Sequence, residues 1–172
     1  MRAQVMGVSC SGKSTAARKI ADKTGAAFID LDDLFWLPGW QESTLEDFRA
    51  KTIKAISAQP HFVIAGNYSK VHDITLGVSD IIIWLNFPFY LVFYRAVTRT
   101  FKRLFDQQPV CNGNVENARQ VFSKNSIILW VLKSFRARRR KMPPLLKECE
   151  GQGKKVLIFT SPRALEAWLE RL

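Results

Sequence analysis

The segment Gly7-Val8-Ser9-Cys10-Ser11-Gly12-Lys13-Ser14-Thr15 constrains this chain more than any other. It meets the pattern G-x-x-x-x-G-K-[ST] at every fixed position. A chance match in a chain of this length has a probability of about one in a hundred or less, from average residue usage. The spacing follows from the chemistry of a polyphosphate, whose negative charges must be met without bulky side chains in the way. Gly7 and Gly12 let the backbone turn where a Cβ would clash, so successive N–H groups point inward as an anion nest. The pattern puts Ser9, Cys10, Ser11 and Thr15 around that nest, Lys13 on the terminal phosphate oxygens and the Ser14 hydroxyl on Mg²⁺. Residues 2–6 read as a strand, and 14–23 as a helix closed by Thr24-Gly25. That helix aims its positive end at the same phosphates.

With 172 residues, 47 % of them apolar, the chain suits a single domain over residues 1–172 with one sizeable core. The longest apolar stretch, 81–94, is interrupted by Asn86 and Pro88 and falls short of the roughly 20 residues that span a bilayer. No membrane association is expected. The phosphate loop begins at Gly7, which leaves no room for an ordinary signal peptide. Three scattered cysteines without a C-x-x-C pair suggest a reduced, cytoplasmic protein. The net charge of +11 implies an anionic partner. It gathers in two clusters, one at Arg95, Arg99, Lys102 and Arg103 and one from Lys133 to Lys147.

Residues 26–31 read as a buried strand ending in the acids Asp30, Asp32 and Asp33. Ligands of open α/β sheets sit at the carboxyl ends of strands, which places these acids beside the phosphate loop. Asp30 suits a magnesium shell, and Asp32 or Asp33 an acceptor to be oriented or deprotonated; the competing reading has one of the latter pair capping the next turn. Trp36 and Trp40 flank a Pro-Gly turn, as an aromatic flap over an acceptor or as packed aromatics. Ser43 and Glu46 have capping-box spacing for a helix to about residue 58. A strand over 61–65 leads to Asn67 and Tyr68, facing the ligand side. The two histidines, His61 and His72, show no catalytic or metal spacing. Residues 80–87 read as a strand buried on both faces. A helix over 89–105 follows, with Arg95, Arg99 and Arg103 on one face. Three guanidiniums without interleaved acids point to an anion-binding stripe. A loop over 106–114 and a long helical region over 115–141 complete a lid-like segment spanning about 95–141. Pro143-Pro144 is expected to end that helix. A short helix at 145–150, a strand at 154–159 and a helix at 163–172, capped by Thr160-Ser161-Pro162, close the chain. Strands alternating with helices give an α/β fold with a parallel sheet.

The phosphate loop, the run from Ile29 to Trp40 with its Leu-Phe-Trp-x-Pro-Gly-Trp, the loop Gly66-Asn67-Tyr68-Ser69 and the strand Ile83-Trp84-Leu85-Asn86-Phe87-Pro88 resemble the adenylate-kinase-related P-loop proteins labelled DNA topology modulation proteins. The arginine helix continues the resemblance over nearly the whole chain. It implies a nucleoside-monophosphate-kinase-like three-layer sandwich with a five-stranded parallel sheet of order 2-3-1-4-5, and binding of ATP and Mg²⁺. The Asp30-x-Asp32 spacing looks like small-molecule kinases such as shikimate kinase, where the first acid serves the metal and the second the acceptor. Where the family carries an acid before Gly-Asn-Tyr this chain has Ala65, and Asn86 stands where an aspartate is common.

These readings converge on an ATP-dependent kinase acting on a small-molecule or nucleotide acceptor. Lys13, Arg95, Arg99 and Arg103 stabilise the transferring group, Arg138 and Arg139 are further lid candidates, Ser161 lines the adenine, and Asp32, Trp36, Asn67 and Tyr68 meet the acceptor. Two alternatives stand beside it: a nucleotide-dependent nucleic-acid-binding protein using the basic run 136–141, and an ATP-binding protein of weak activity.

Overall fold

In the computed structural model, residues 1–106, 109–115 and 126–172 are described. Strands β1 (Arg2–Gly7), β2 (Ala27–Asp30), β5 (Phe62–Ala65), β6 (Ile81–Leu85) and β7 (Lys155–Phe159) form one parallel sheet in the order β2-β5-β1-β6-β7. Counting these main strands alone, the order is 2-3-1-4-5, as the resemblance implied. A two-stranded hairpin, β3 (Trp36–Leu37) and β4 (Gln41–Glu42), stands apart.

Alternation along the strands builds the layers. Ala3, Val5, Val63, Ala65, Ile83 and Leu85 face one core. Against them pack α1 (Lys13–Thr24) through Ala16, Ala17 and Ile20, α5 (Phe89–Asp106) through Val92 and Ala96, and α7 (Pro162–Leu169) through Leu165 and Leu169. Phe62 and Ile64 face the other side, with Phe48 and Ile56 of α3 (Leu45–Ser57). Met6, Ile82 and Trp84 also face that side, with Leu76 of α4 (His72–Val78).

The helix α6 (Ile127–Gly151) corrects an expectation, because Pro143 and Pro144 lie inside it and do not end it. Their missing N–H groups remove two intrahelical bonds, but packing holds both sides of the break. Val131 and Phe135 join the first core, and Met142, Leu146 and Cys149 the second. The expected helix over 115–141 begins at Ile127, capped by the Ser126 hydroxyl; the part over 116–125, like 107–108 of the expected loop, lies outside the described residues.

Three local features differ from the sequence reading. Asp30 itself caps the short helix α2 (Leu31–Phe35), accepting from the Asp32 amide, so neither Asp32 nor Asp33 takes that role. Thr44, not Ser43, caps α3 by accepting from Asp47. Ser43 is buried, its amide bonded to the Phe35 carbonyl at the foot of the hairpin. The α4 turn over 72–78 carried no clear signal, because seven residues give barely two helical turns of pattern. Among the described residues no helix is long and apolar enough to cross a membrane.

Candidate active site

The site is built at the carboxyl ends of β1, β2 and β5. β1 leads into the phosphate loop, which turns through Cys10 at φ 64° and Gly12 at φ 93°. At Gly7 a Cβ would stand 2.6 Å from Ser11 Oγ and 3.0 Å from the Leu85 carbonyl oxygen, so only glycine lets the loop close against β6. Gly12 is the N-cap of α1 and has no side chain to cap the amides behind it; the first turn holds no acid either. Two polar atoms near this helix end, Ser11 Oγ and Arg99 Nε, are buried without a hydrogen-bond partner among the described residues. A loop that leaves its own donors unsatisfied in this way suits an anion.

Lys13 is half-buried, and its Nζ donates to the Val8 carbonyl at 3.0 Å. Burial lowers its pKa below the ordinary lysine value, Asp32 opposes that shift, and Arg138 and Arg99 add to it. These four charges therefore share one field. Asp30 is in register with Ala65 on β5 and points to the α1 side. Its carboxyl meets the Ser14 hydroxyl; burial pushes its pKa up, and Asp32 and Asp33 add to this. Ala65 is fully buried beside it, so this position adds no second carboxylate to Asp30. Asn86 is turned elsewhere, toward a small cavity with Trp84, Phe135 and Arg139.

The main cleft has a volume of about 1720 Å³. It brings together Ser9, Cys10, Ser11, Gly12, Lys13, Ser14 and Thr15 with Asp30, Asp32, Asp33, Trp36, Asn67, Tyr68, Arg95, Arg99, Arg103 and Arg138. Arg95 reaches furthest into the loop: its Nη1 donates to the Ser11 carbonyl at 2.9 Å, and its guanidinium lies over Phe87. Three expected residues are placed differently. Gly7 backs the loop without lining the cleft. Arg139 lies over Phe135 beside the small cavity. The Ser161 hydroxyl accepts from the Ala164 amide as the cap of α7, and the cleft wall there is Pro162, Leu165 and Glu166.

On the β2–β5 side of β1 lies the acid and aromatic end. Tyr68, expected on the ligand side, lines the cleft, and its hydroxyl donates to Asp32 Oδ1 at 2.5 Å. Burial and the neighbouring Asp32 carboxylate raise the Tyr68 pKa well beyond the ordinary phenol range, so it stays a donor. Asn67 lines the cleft with its Oδ1 held by His72 Nε2 at 3.0 Å. Burial lowers the His72 pKa, which favours the neutral ring; this histidine, read as a bystander, orients Asn67. Trp36 and Trp40 pack edge to face with centroids 5.7 Å apart. The segment 109–115 grips them, through Asn112 and Asn114. Neither asparagine carried a sequence signal, since a loop amide shows its partners only once the chain is folded.

No protein-family model matches the sequence, and no curated protein does. Solved structures match in fold. The chain aligns with shikimate kinase from Bacteroides thetaiotaomicron over 99 % of its length and 95 % of that chain, at 16 % identity and a TM-score of 0.55. Shikimate kinase from Acinetobacter baumannii, in complex with shikimate, aligns over 98 % and 88 % at 15 % identity and 0.57. Deoxyadenosine kinase from M. mycoides, with the products dCMP and dCDP bound, aligns over 99 % and 96 % at 10 % identity and 0.54. The chain thus has the fold of P-loop kinases, at low sequence identity.

Proposed function

We propose that this protein is an ATP-dependent phosphotransferase. The observation that carries the reading is the set of unsatisfied donors at the mouth of α1, namely the uncapped amides after Gly12, Ser11 Oγ and Arg99 Nε, ringed by Lys13, Arg95 and Arg138. A triphosphate tail meets all of them. Phosphoryl transfer asks a protein chiefly for positioning and charge neutralisation, and this bank of cations supplies both. Arg95, Arg99 and Arg103 meet the transferring group from α5, and Arg138 from α6. The segment from about 95 to 141 acts as the lid of a single unit spanning the chain.

Mg²⁺ fits the site. Asp30 and the Ser14 hydroxyl are hard oxygen donors in contact with each other. Among the described residues no cluster of three or more His, Cys, Asp or Glu could hold a metal alone. Magnesium bound through one or two protein oxygens, with the rest of its shell from phosphate and water, needs no such cluster. When bound it neutralises charge on the phosphates. The remaining work falls to the chain: Asp30 holds Ser14 in place, and Lys13 exchanges the Val8 carbonyl for phosphate oxygen.

The test is transfer of labelled γ-phosphate from ATP to a panel of small alcohols and nucleoside monophosphates. Acceptor-dependent transfer supports the reading, and ATP binding without transfer to any acceptor contradicts it. A weakly active ATP-binding protein is favoured by one observation, Ala65 next to Asp30. On that reading Ala65→Asp raises turnover; an unchanged or lower rate removes it.

A further inference from the structure

We propose that the outer face of the helix pair α5 and α6 docks on an anionic lipid bilayer. This surface lies apart from the transfer reaction and does not depend on it. Helix α5 inverts the usual order of a surface helix, which turns its charges outward. Its arginines Arg95, Arg99 and Arg103 line the cleft. Its outward row is aromatic: Tyr90, Tyr94, Phe101 and Phe105 are 74 %, 65 %, 45 % and 82 % exposed. At about 100° per residue this row lies opposite Val92 and Ala96, which face the core. On α6 the side away from Val131 and Phe135 carries Leu129, Leu132, Arg136 and Arg140, all exposed. Val92, Ala96, Val131 and Phe135 belong to one core, and the rings of Phe89 and Phe135 meet edge to face at 5.1 Å. The two helices therefore lie side by side with both rows turned outward. Single apolar side chains on a surface need no explanation, but a row of rings on one helix face does.

The charge of this face selects its partner. Neither 89–105 nor 127–147 contains an acidic residue. Arg136 and Arg140 stand outward with no carboxylate in either stretch to pair with. A second copy of the chain would bring the same arginines against them, under a net charge of +11 on each copy. Single-stranded nucleic acid asks for cations between the rings on which its bases stack. The outward row from Tyr90 to Phe101 has none, and Lys102 turns to the cleft. A bilayer interface meets both features of the face. Aromatic rings settle at headgroup level, and cations beside them meet the lipid phosphates. Among the described residues no helix can cross a bilayer, which bears on spanning and not on lying flat. A helix lying in the interface needs one apolar face and no spanning length.

The experiment is co-sedimentation of the full chain with phosphatidylcholine vesicles holding about 30 % phosphatidylserine, and with vesicles of phosphatidylcholine alone. Binding to the anionic vesicles is expected to be tighter by about tenfold or more, and to weaken as salt rises from about 0.1 to 0.5 M. Phe101→Ser with Phe105→Ser is expected to weaken it by about tenfold or more. Arg136→Ala with Arg140→Ala is expected to weaken it by about tenfold, with a flatter salt response. Both double variants are expected to keep the wild-type melting temperature, which separates lost docking from lost folding; the arginine pair carries the test alone should the phenylalanine pair unfold. Equal binding to the two vesicles, binding to neither, or wild-type binding by both double variants overturns the proposal. So does a dimer seen by light scattering without lipid and lost in Phe101→Ser with Phe105→Ser, which gives the face to a second copy. A single-stranded oligonucleotide bound by the wild type and released by the same change gives it to nucleic acid and likewise overturns the proposal. Phosphoryl transfer, read without lipid, is untouched by any of these outcomes.

Discussion

On the proposed function Asp30 has two tasks, capping α2 and meeting magnesium, that pull in opposite directions. Its pKa is raised by burial and then by Asp32 and Asp33, so the folded state holds this proton more tightly than the unfolded chain does. Ionising it therefore costs stability as pH rises from the unfolded value through the folded one. Binding magnesium requires the ionised form. Mg·ATP affinity is thus expected to weaken, as pH falls, at a higher pH than an ordinary carboxylate would set. Asp30→Asn keeps a good cap for α2, should raise the melting temperature of the unliganded protein at pH 7, and should weaken Mg·ATP by about 10- to 100-fold with a flat pH response. Calorimetry and titration across pH 4–8 read both. Gly66 gives a second prediction at this scale. A Cβ there would lie 2.7 Å from Leu31 Cβ, at φ 143°. Gly66→Ala is expected to cost about 1–3 kcal/mol in denaturant unfolding by overpacking and strain. The acids Asp30 and Asp32 and the loop residues were legible because their chemistry is tied to a spacing. The contacts of Tyr68, Asn112 and Asn114 were not, because a hydrogen bond spanning 36 to 79 residues leaves no local pattern.

At the scale of elements, the arginine helix is the clearest case of a readable face. Arg95, Arg99 and Arg103 recur every fourth residue, and all three line the cleft. Arg99 carries the sharpest expectation because its Nε has no partner among the described residues in the unliganded protein. Arg99→Ala should lower kcat about 1000-fold, in the range of other arginines that meet a transferring phosphoryl group, while Mg·ATP affinity changes less than tenfold. Single-turnover kinetics separate the two. The prolines of α6 misled for an identifiable reason. Local propensity disfavours a helix through Pro143-Pro144, yet Met142 and Leu146, on either side, are both buried in one core. Tertiary packing outweighed two lost hydrogen bonds. The hairpin at Trp36–Glu42 showed only its Pro-Gly turn, because two-residue strands are too short for alternation to register.

Across the whole molecule the net charge of +11 has to be divided among partners. The basic run 136–141 lies on helix α6, where successive residues turn about 100°. Arg138 lines the cleft, Arg139 lies by the small cavity, and Arg136 and Arg140 are exposed. The run is thus spread around a helix, not presented as one nucleic-acid face. Any DNA binding is expected to be sequence-independent and to fall steeply between 50 and 200 mM salt. Arg136→Ala with Arg140→Ala should leave Mg·ATP affinity within about twofold, whereas Arg138→Ala should weaken it by about tenfold, as expected for a charged contact. Filter binding and calorimetry on the same preparations check this. The sheet order was implied by the resemblance, and the five apolar runs between helices gave the strands themselves. The inward turn of Arg138 and the outward turn of Arg139 were not, since the run itself gives every residue the same charge.

The most direct test is calorimetric titration of Mg·ATP into the protein and into its Lys13→Ala variant. The variant is expected to keep its fold and to lose affinity by about 30-fold or more, the worth of a charge-assisted contact to phosphate. Equal affinity in the two proteins would contradict a nucleotide held at this loop.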